Sequence, residues 1–226
     1  MLIELSKFDF QSNQILSTLN KDELLLFEQN SILLKFKKGQ LIFFEGGLPN
    51  GLFVLRSGKA KIFKTNTNGK DQLFYIYIPG DVLGHHALLC SEPYEDSCQA
   101  IENCELLFLS ENKIQSLFTQ IPTLQKTFIK NMSHEFGVMV NYITVLAQNP
   151  IRERLALFLL ILDQKYEGKP INIPREDLAN LVGTVRENLG RSLKEFKDDS
   201  LIKIDKRKII LQNKKAIHRI ASSLNL

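Results

Sequence analysis

IPREDLANLVGTVRENLGRSLKEF (Ile173–Phe196) is the stretch whose reading decides the fold. Leu178, Leu181 and Val182 recur at helical spacing before Gly183, and Leu189, Leu193 and Phe196 do so after it. The spacing predicts two short helices, each with one face to bury, joined by a tight turn at the glycine. Arg186, Arg191 and Lys194, with Glu187 beside them, occupy positions that the second apolar stripe leaves free. A helix packed on one face and cationic on the other is what insertion into a DNA major groove requires.

Charge is distributed to match. The 226 residues carry a formal charge of only +4, but the chain is uneven: residues 150–226 hold 16 Lys+Arg and 10 Asp+Glu, a net of +6, whereas residues 1–149 hold 13 and 15, a net of −2. The cationic excess lies in the half that contains the candidate reading helix, as binding to a polyanion favours. Length and a hydrophobic content of 44% suit two modest soluble domains. Cys90, Cys98 and Cys104 are an odd number without a CxxC pair, and MLIELSKFDF at the start lacks a basic segment followed by an apolar run. Neither secretion nor a disulfide framework is expected, nor a membrane span, and a reducing cytoplasm is the expected location.

Upstream, QILSTLNKDELLLFEQ (14–29) reads as one short amphipathic helix. Glycine-bearing turns then separate LIFF (41–44), LFVL (52–55), AKIFK (60–64), QLFYIYI (72–78) and ELLFL (105–109), which suit a half-buried pleated surface. Strands so closely spaced predict a small antiparallel barrel or roll, filled by side chains or holding one small ligand. A helical pattern resumes near Glu111 and is strongest from Thr123 to Ala147. There Leu124, Phe128, Met132, Met139, Ile143 and Leu146 approximate a 3,4 stripe, expected to be covered by a second copy of the helix. Asn149-Pro150 resets the chain, asparagine as a helix N-cap and proline in the first helical position. RERLALFLLILDQ then predicts a supporting helix and Ile171-Asn172-Ile173 a short strand. LIKI (201–204), DKRK (205–208) and IILQ (209–212) predict a hairpin with a basic turn, completing a winged helix-turn-helix.

LVGTVRENLGR (181–191), FKKGQLIFFEGGLPNGLFVLRSGKAKIF (36–63) and IPGDVLGHHALL (78–89) resemble the cyclic-AMP receptor protein and fumarate-nitrate regulator (CRP/FNR) superfamily of bacterial transcription factors. The likeness covers nearly the whole chain. It implies an α+β fold of three parts: a jelly-roll-like, cyclic-nucleotide-binding-like sensor domain built as a double-stranded β-helix (1–118), a dimerisation helix (119–148) and a winged helix-turn-helix DNA-binding domain (149–226). It also implies a homodimer on a pseudopalindromic double-stranded DNA site that contacts RNA polymerase. Arg186, Glu187 and Arg191 match the positions that read base edges in that family, with Thr184, Asn188, Lys203, Lys206, Arg207 and Lys208 expected against the DNA backbone. Val185 departs from the serine or threonine common in relatives. For Glu187 a capping box with Thr184 is the competing role.

The sensor half departs further. Gly84, His85, Tyr94 and Glu95 fall where the family's effector pocket lies, but His85 replaces the ribose-binding glutamate, Tyr94 the phosphate-binding arginine and Glu95 its serine neighbour. The nearest arginines are Arg56 and Arg152, while Glu92, Glu95 and Asp96 add negative charge. Binding of cyclic AMP is therefore not expected. No cofactor or metal is expected either, with haem on His85 or His86 as a minor option, and the N-terminal cysteine cluster of oxygen-sensing relatives is absent. No P-loop, HExxH or nucleophile elbow marks an enzyme. The competing functional class is a small-ligand, redox or haem sensor module that acts through a protein partner.

Overall fold

The computed structural model describes residues 3–224. They fall into two compact units, one made of Phe10–Gly69 and Phe74–Glu135, the other of the residues through Asp9, Lys70–Leu73 and those from Phe136 onward.

In the first unit the single helix expected over 14–29 is two, α1 (Gln14–Ser17) and α2 (Lys21–Gln29). Asn20 makes the break. Its backbone is extended, its side chain accepts from the backbone N–H groups of Asp22 and Glu23, and the Glu23 carboxylate accepts from its own N–H. This capping box satisfies donors that a continuous helix would have bonded elsewhere. Eight strands follow: β1 (Ile32–Phe36), β2 (Leu41–Phe43), β3 (Gly51–Ser57), β4 (Ala60–Thr65), β5 (Asp71–Tyr77), β6 (Val82–Leu83), β7 (Ser97–Ala100) and β8 (Cys104–Ser110), with helix α3 (His85–Cys90) after β6. They form two four-stranded sheets, ordered β1-β8-β3-β6 and β2-β7-β4-β5. β8 pairs antiparallel with both β1 and β3, and β7 with both β2 and β4, which is the roll the turn spacing predicts. Gly51 lets β3 and β8 close, since a Cβ there would collide with the Leu109 carbonyl.

The core of this unit joins Leu52 and Val54 of β3, Val82, Leu107 and Leu109 to Ile114, Leu117 and Phe118 of α4 (Glu111–Gln120). Leu124 and Phe128 of α5 (Pro122–Gln148) complete it, at 0% and 1% exposure. This corrects the expected dimer stripe: Leu124 and Phe128 are spent inside the protomer, where burial of each stabilises by about 1.5–3 kcal/mol. Further along α5, Val138, Tyr142 and Val145 are buried in the second unit. Met132, Met139 and Leu146 are half-buried, and Ile143 stays exposed. The apolar residues left in solvent are Ile129 (60%), Phe136 (73%), Val140 (46%) and Ile143 (63%). Leu124, Phe128, Asn131, Glu135, Val138, Tyr142 and Val145 are buried at alternating separations of four and three, a single face of α5, and the expected stripe leaves that face by stepping from Phe128 to Met132.

The second unit is built round α6 (Ile151–Lys165), whose residues from Leu155 to Leu162 are all buried. Pro150, rather than Asn149, is its N-cap, and the Asn149 amide donates to the Glu153 carboxylate at 3.1 Å. Helices α7 (Arg175–Val182) and α8 (Arg186–Asp198), strands β9 (Ile202–Asp205) and β10 (Lys208–Leu211), and an unforeseen α9 (Lys214–Ala221) capped by Asn213 pack around it. The Tyr142 hydroxyl donates to the Phe8 carbonyl at 2.8 Å and its ring stacks on Phe158, while Lys165 pairs with Asp9 at 2.6 Å. The chain's N-terminal segment is thereby bound into the same unit as α6. The compact units divide α5 between Glu135 and Phe136.

Candidate functional site

The turn between α7 and α8 follows from Gly183. Its φ of 68° lies in the left-handed region, and the bonds Gly183 N–H to Asn180 O (3.1 Å) and Thr184 N–H to Ala179 O (2.9 Å) close the C-terminus of α7. α8 then starts at Arg186 with Val185 as N-cap and no side-chain capping bond, so the Thr184–Glu187 capping box does not form. Leu189, Ser192, Leu193 and Phe196 face inward. Arg186, Glu187, Gly190, Arg191 and Lys194 are exposed, at spacings that put them on one face, and Gly190 leaves its centre flat. Arg191 is held by the Asn188 side-chain oxygen at 2.5 Å. Glu187 and Arg186 make no hydrogen bond or ion pair among the described residues, leaving donors and acceptor free for an external partner.

Beside them β9 and β10 form the wing, in the register Lys208 to Asp205 through Leu211 to Ile202. Lys206, first of the two turn residues, has φ of 55°, the left-handed backbone that a two-residue hairpin demands. Lys203, Lys206, Arg207 and Lys208 are all exposed. The strand expected at Ile171–Ile173 is reduced to one bridge, Ile171 to Ile209, with both side chains fully buried.

In the other unit a small open cleft is lined by Phe43, Tyr77, Gly84, His86 and Tyr94, with Glu92, Glu95 and Asp96 at its acidic side. The sequence reading placed His85 here, and the structure corrects it: the αL backbone of Gly84 (φ 77°) starts α3 so that His85 turns inward against Phe128, and His86 reaches the cleft. Tyr94 is buried and stacks on Phe43 with centroids 4.2 Å apart. Burial pushes its phenol up to about 12. Burial likewise raises the Asp96 carboxyl, to about 6 against the opposing charges of His86 and Lys64. Glu95 pairs with Lys64 at 2.9 Å. Arg56 is committed to Glu28 and Arg152 to Asp199, Glu195 and the Phe196 ring. The lining thus offers three carboxylates and no guanidinium or ammonium. Cys98 and Cys104 are buried free thiols whose pKa burial raises, and Cys90 is an exposed one.

Two family models match the chain, a cyclic nucleotide-binding domain over residues 33–120 and a Crp-like helix-turn-helix domain over residues 153–220. Among curated proteins it is 25% identical to the cyclic AMP receptor protein of Thermus thermophilus, over 81% of this chain and 85% of that one. It is 24% identical to the transcriptional activator protein anr of Pseudomonas aeruginosa, over 74% and 71%. Among solved structures, FixK2 from Bradyrhizobium japonicum superposes with a TM-score of 0.76 at 18% identity, covering 84% of this chain and 96% of that one. A roll of the cyclic-nucleotide-binding type, a long helix and a winged helix-turn-helix define a DNA-binding transcription regulator. The chain belongs to the CRP/FNR superfamily. Its homologues and fold are those of regulators and not of an enzyme. Among the described residues no helix is long and apolar enough to cross a membrane.

Proposed function

We propose that this chain is a cytoplasmic homodimer that binds a pseudopalindromic DNA site sequence-specifically and does not respond to cyclic AMP. The observation that carries the reading is the solvent face of α8. Arg186 and Arg191 suit bidentate pairing with guanine O6 and N7, and Glu187 suits acceptance from cytosine N4, each worth about 1–3 kcal/mol of discrimination. Thr184, Asn188 and the wing cations Lys203, Lys206, Arg207 and Lys208 serve the phosphates, adding affinity without sequence information.

A second copy of α5 is the partner that Ile129, Phe136, Val140 and Ile143 fit. Their separations of seven, four and three residues are those of a two-helix seam, and a two-fold axis makes such a stripe its own complement. Paired protomers would present two reading helices roughly 34 Å apart, in successive major grooves. The acidic cleft, with Tyr94 in its wall and no guanidinium, supports the absence of a cyclic-AMP response. Contact of the bound dimer with RNA polymerase follows the family likeness.

Selection of binding sites from a random duplex pool, followed by gel shifts at physiological salt, tests the reading. A two-fold symmetric consensus is expected, with no change on adding cyclic AMP. Equal affinity for every duplex overturns the specific-regulator reading.

A further inference from the structure

His85 and His86 open α3 with ring centroids 4.1 Å apart, and both turn toward Glu135 of α5, 49 residues further on than His86. Glu135 Oε2 lies 2.5 Å from His86 Nε2 and 3.5 Å from His85 Nε2. His85 is 0% exposed and Glu135 3%, yet neither ring nitrogen of His85 nor Glu135 Oε1 has a hydrogen-bond partner. A simple ion pair between His86 and Glu135 accounts for one imidazole only. It leaves a second, fully buried imidazole and a carboxylate oxygen unsatisfied at the same point, a costly arrangement that native interiors avoid.

We propose that His85, His86 and Glu135 form a binding site for a divalent first-row transition-metal ion of the zinc type. One ligand atom from each residue lies within 4.8 Å of the others, so small shifts bring all three to the 2.0–2.2 Å bonds of such an ion. Two imidazoles with one carboxylate favour zinc, cobalt or nickel over magnesium or calcium, which take oxygen ligands. Three protein ligands leave a coordination position open to water, and His86 also lines the acidic cleft. Glu135 directly precedes Phe136 of the proposed dimer stripe, so an ion clamping α3 to α5 would order the helix between Ile129 and Phe136 of that seam. This last consequence, unlike the site, rests on the proposed dimer and DNA reading.

Titration of tag-free full-length protein with cobalt(II), read by visible absorption and followed by competition with zinc, tests the site. The result expected is the spectrum of a low-coordinate cobalt site, saturating at one ion per chain and displaced by zinc. H86Q alters a half-exposed side chain and should weaken binding at least about tenfold, as should E135Q, while C90S should bind as the parent does. A cobalt spectrum unchanged from that of the free aquo ion overturns the site, as does equal affinity in the parent and H86Q or loss of binding in C90S. Gel shifts with added zinc against chelator then read the regulatory consequence. Ion binding sensitive to H86Q with unchanged DNA affinity keeps the site and overturns its coupling to the dimer. Failure of all duplex selectivity falls on the DNA reading, since the cobalt spectrum involves no DNA.

Discussion

Arg154 donates one guanidinium N–H to the carbonyl of Gly183 at 3.2 Å, and from the same nitrogen reaches the Leu146 carbonyl at 3.2 Å. The last turn of α5 is thus joined to the turn of the helix-turn-helix through one side chain, whose charge satisfies a carbonyl that the end of α5 leaves open. Gly183 belongs to the same joint, since a Cβ there would lie 2.8 Å from Leu146 Cδ2 and 3.1 Å from Arg154 Nη1. Arg154→Met should cost about 1.5–3 kcal/mol, the range for hydrogen bonds from a charged group. Gly183→Ala combines that crowding with a φ of 68° and should cost about 1–3 kcal/mol. Thermal unfolding measures both. In gel shifts both variants should bind all duplexes more weakly with base preference intact, because the reading side chains are unchanged while their mounting is not.

On α8 the expected response is the opposite. Arg186→Ala or Arg191→Ala should relax preference at particular base pairs by about 1–3 kcal/mol. Lys206→Ala should weaken binding to every duplex alike and reduce the slope of log affinity against log salt by about 0.9. Val185, half exposed at the N-cap, offers methyl groups to a partner. Val185→Ser should lose a thymine preference at one position of the selected site. Competition gel shifts over single-base variants of the consensus resolve the three patterns.

Two phenylalanines on α5 separate interior from the proposed seam. Phe136→Glu should convert the proposed dimer to monomer in analytical ultracentrifugation with little loss of protomer stability, because its side chain is 73% exposed. Phe128→Ala should instead cost about 3–5 kcal/mol of stability, as a core truncation beside Phe118 and His85. A monomer produced by Phe128→Ala in a fully folded protein would contradict the assignment of the two faces.

These positions also mark how far the sequence could be read. The helix-turn-helix was legible because its signals are local: a glycine at the turn, and apolar residues three and four apart on either side. The wing was legible for the same reason, from alternation around DKRK. The α5 stripe was misassigned because Leu124 and Phe128 share their 3,4 spacing with Ile143 while facing another way, a distinction set by what the roll buries. β7, SCQA, is too polar and small to announce a strand, and β6 is two residues long. The split at Asn20 required weighing its capping box with Glu23 against a continuous apolar pattern. Most remote of all, His85 and His86 gained meaning only from Glu135, brought to them by the packing of α5 against the sensor core.

Tyr94 gives the last prediction, through pH. Its phenol carries a proton in both folded and unfolded chains below the ordinary pKa of 10.0, whereas burial holds the folded group protonated up to about 12. Between those values the unfolded chain gains by losing a proton that the folded chain keeps, so stability must fall as pH rises from 10 toward 12. The slope is about 1.4 kcal/mol per pH unit for one such group. Tyr94→Phe retains the ring stacked on Phe43 and removes the titrating hydroxyl. It should leave stability at pH 8 nearly unchanged and unfold less readily than the parent in alkali, with the difference widening from pH 10 upward. Urea unfolding at pH 8, 10 and 11 checks this, and curves that stay parallel across the series would mean that the hydroxyl is solvated.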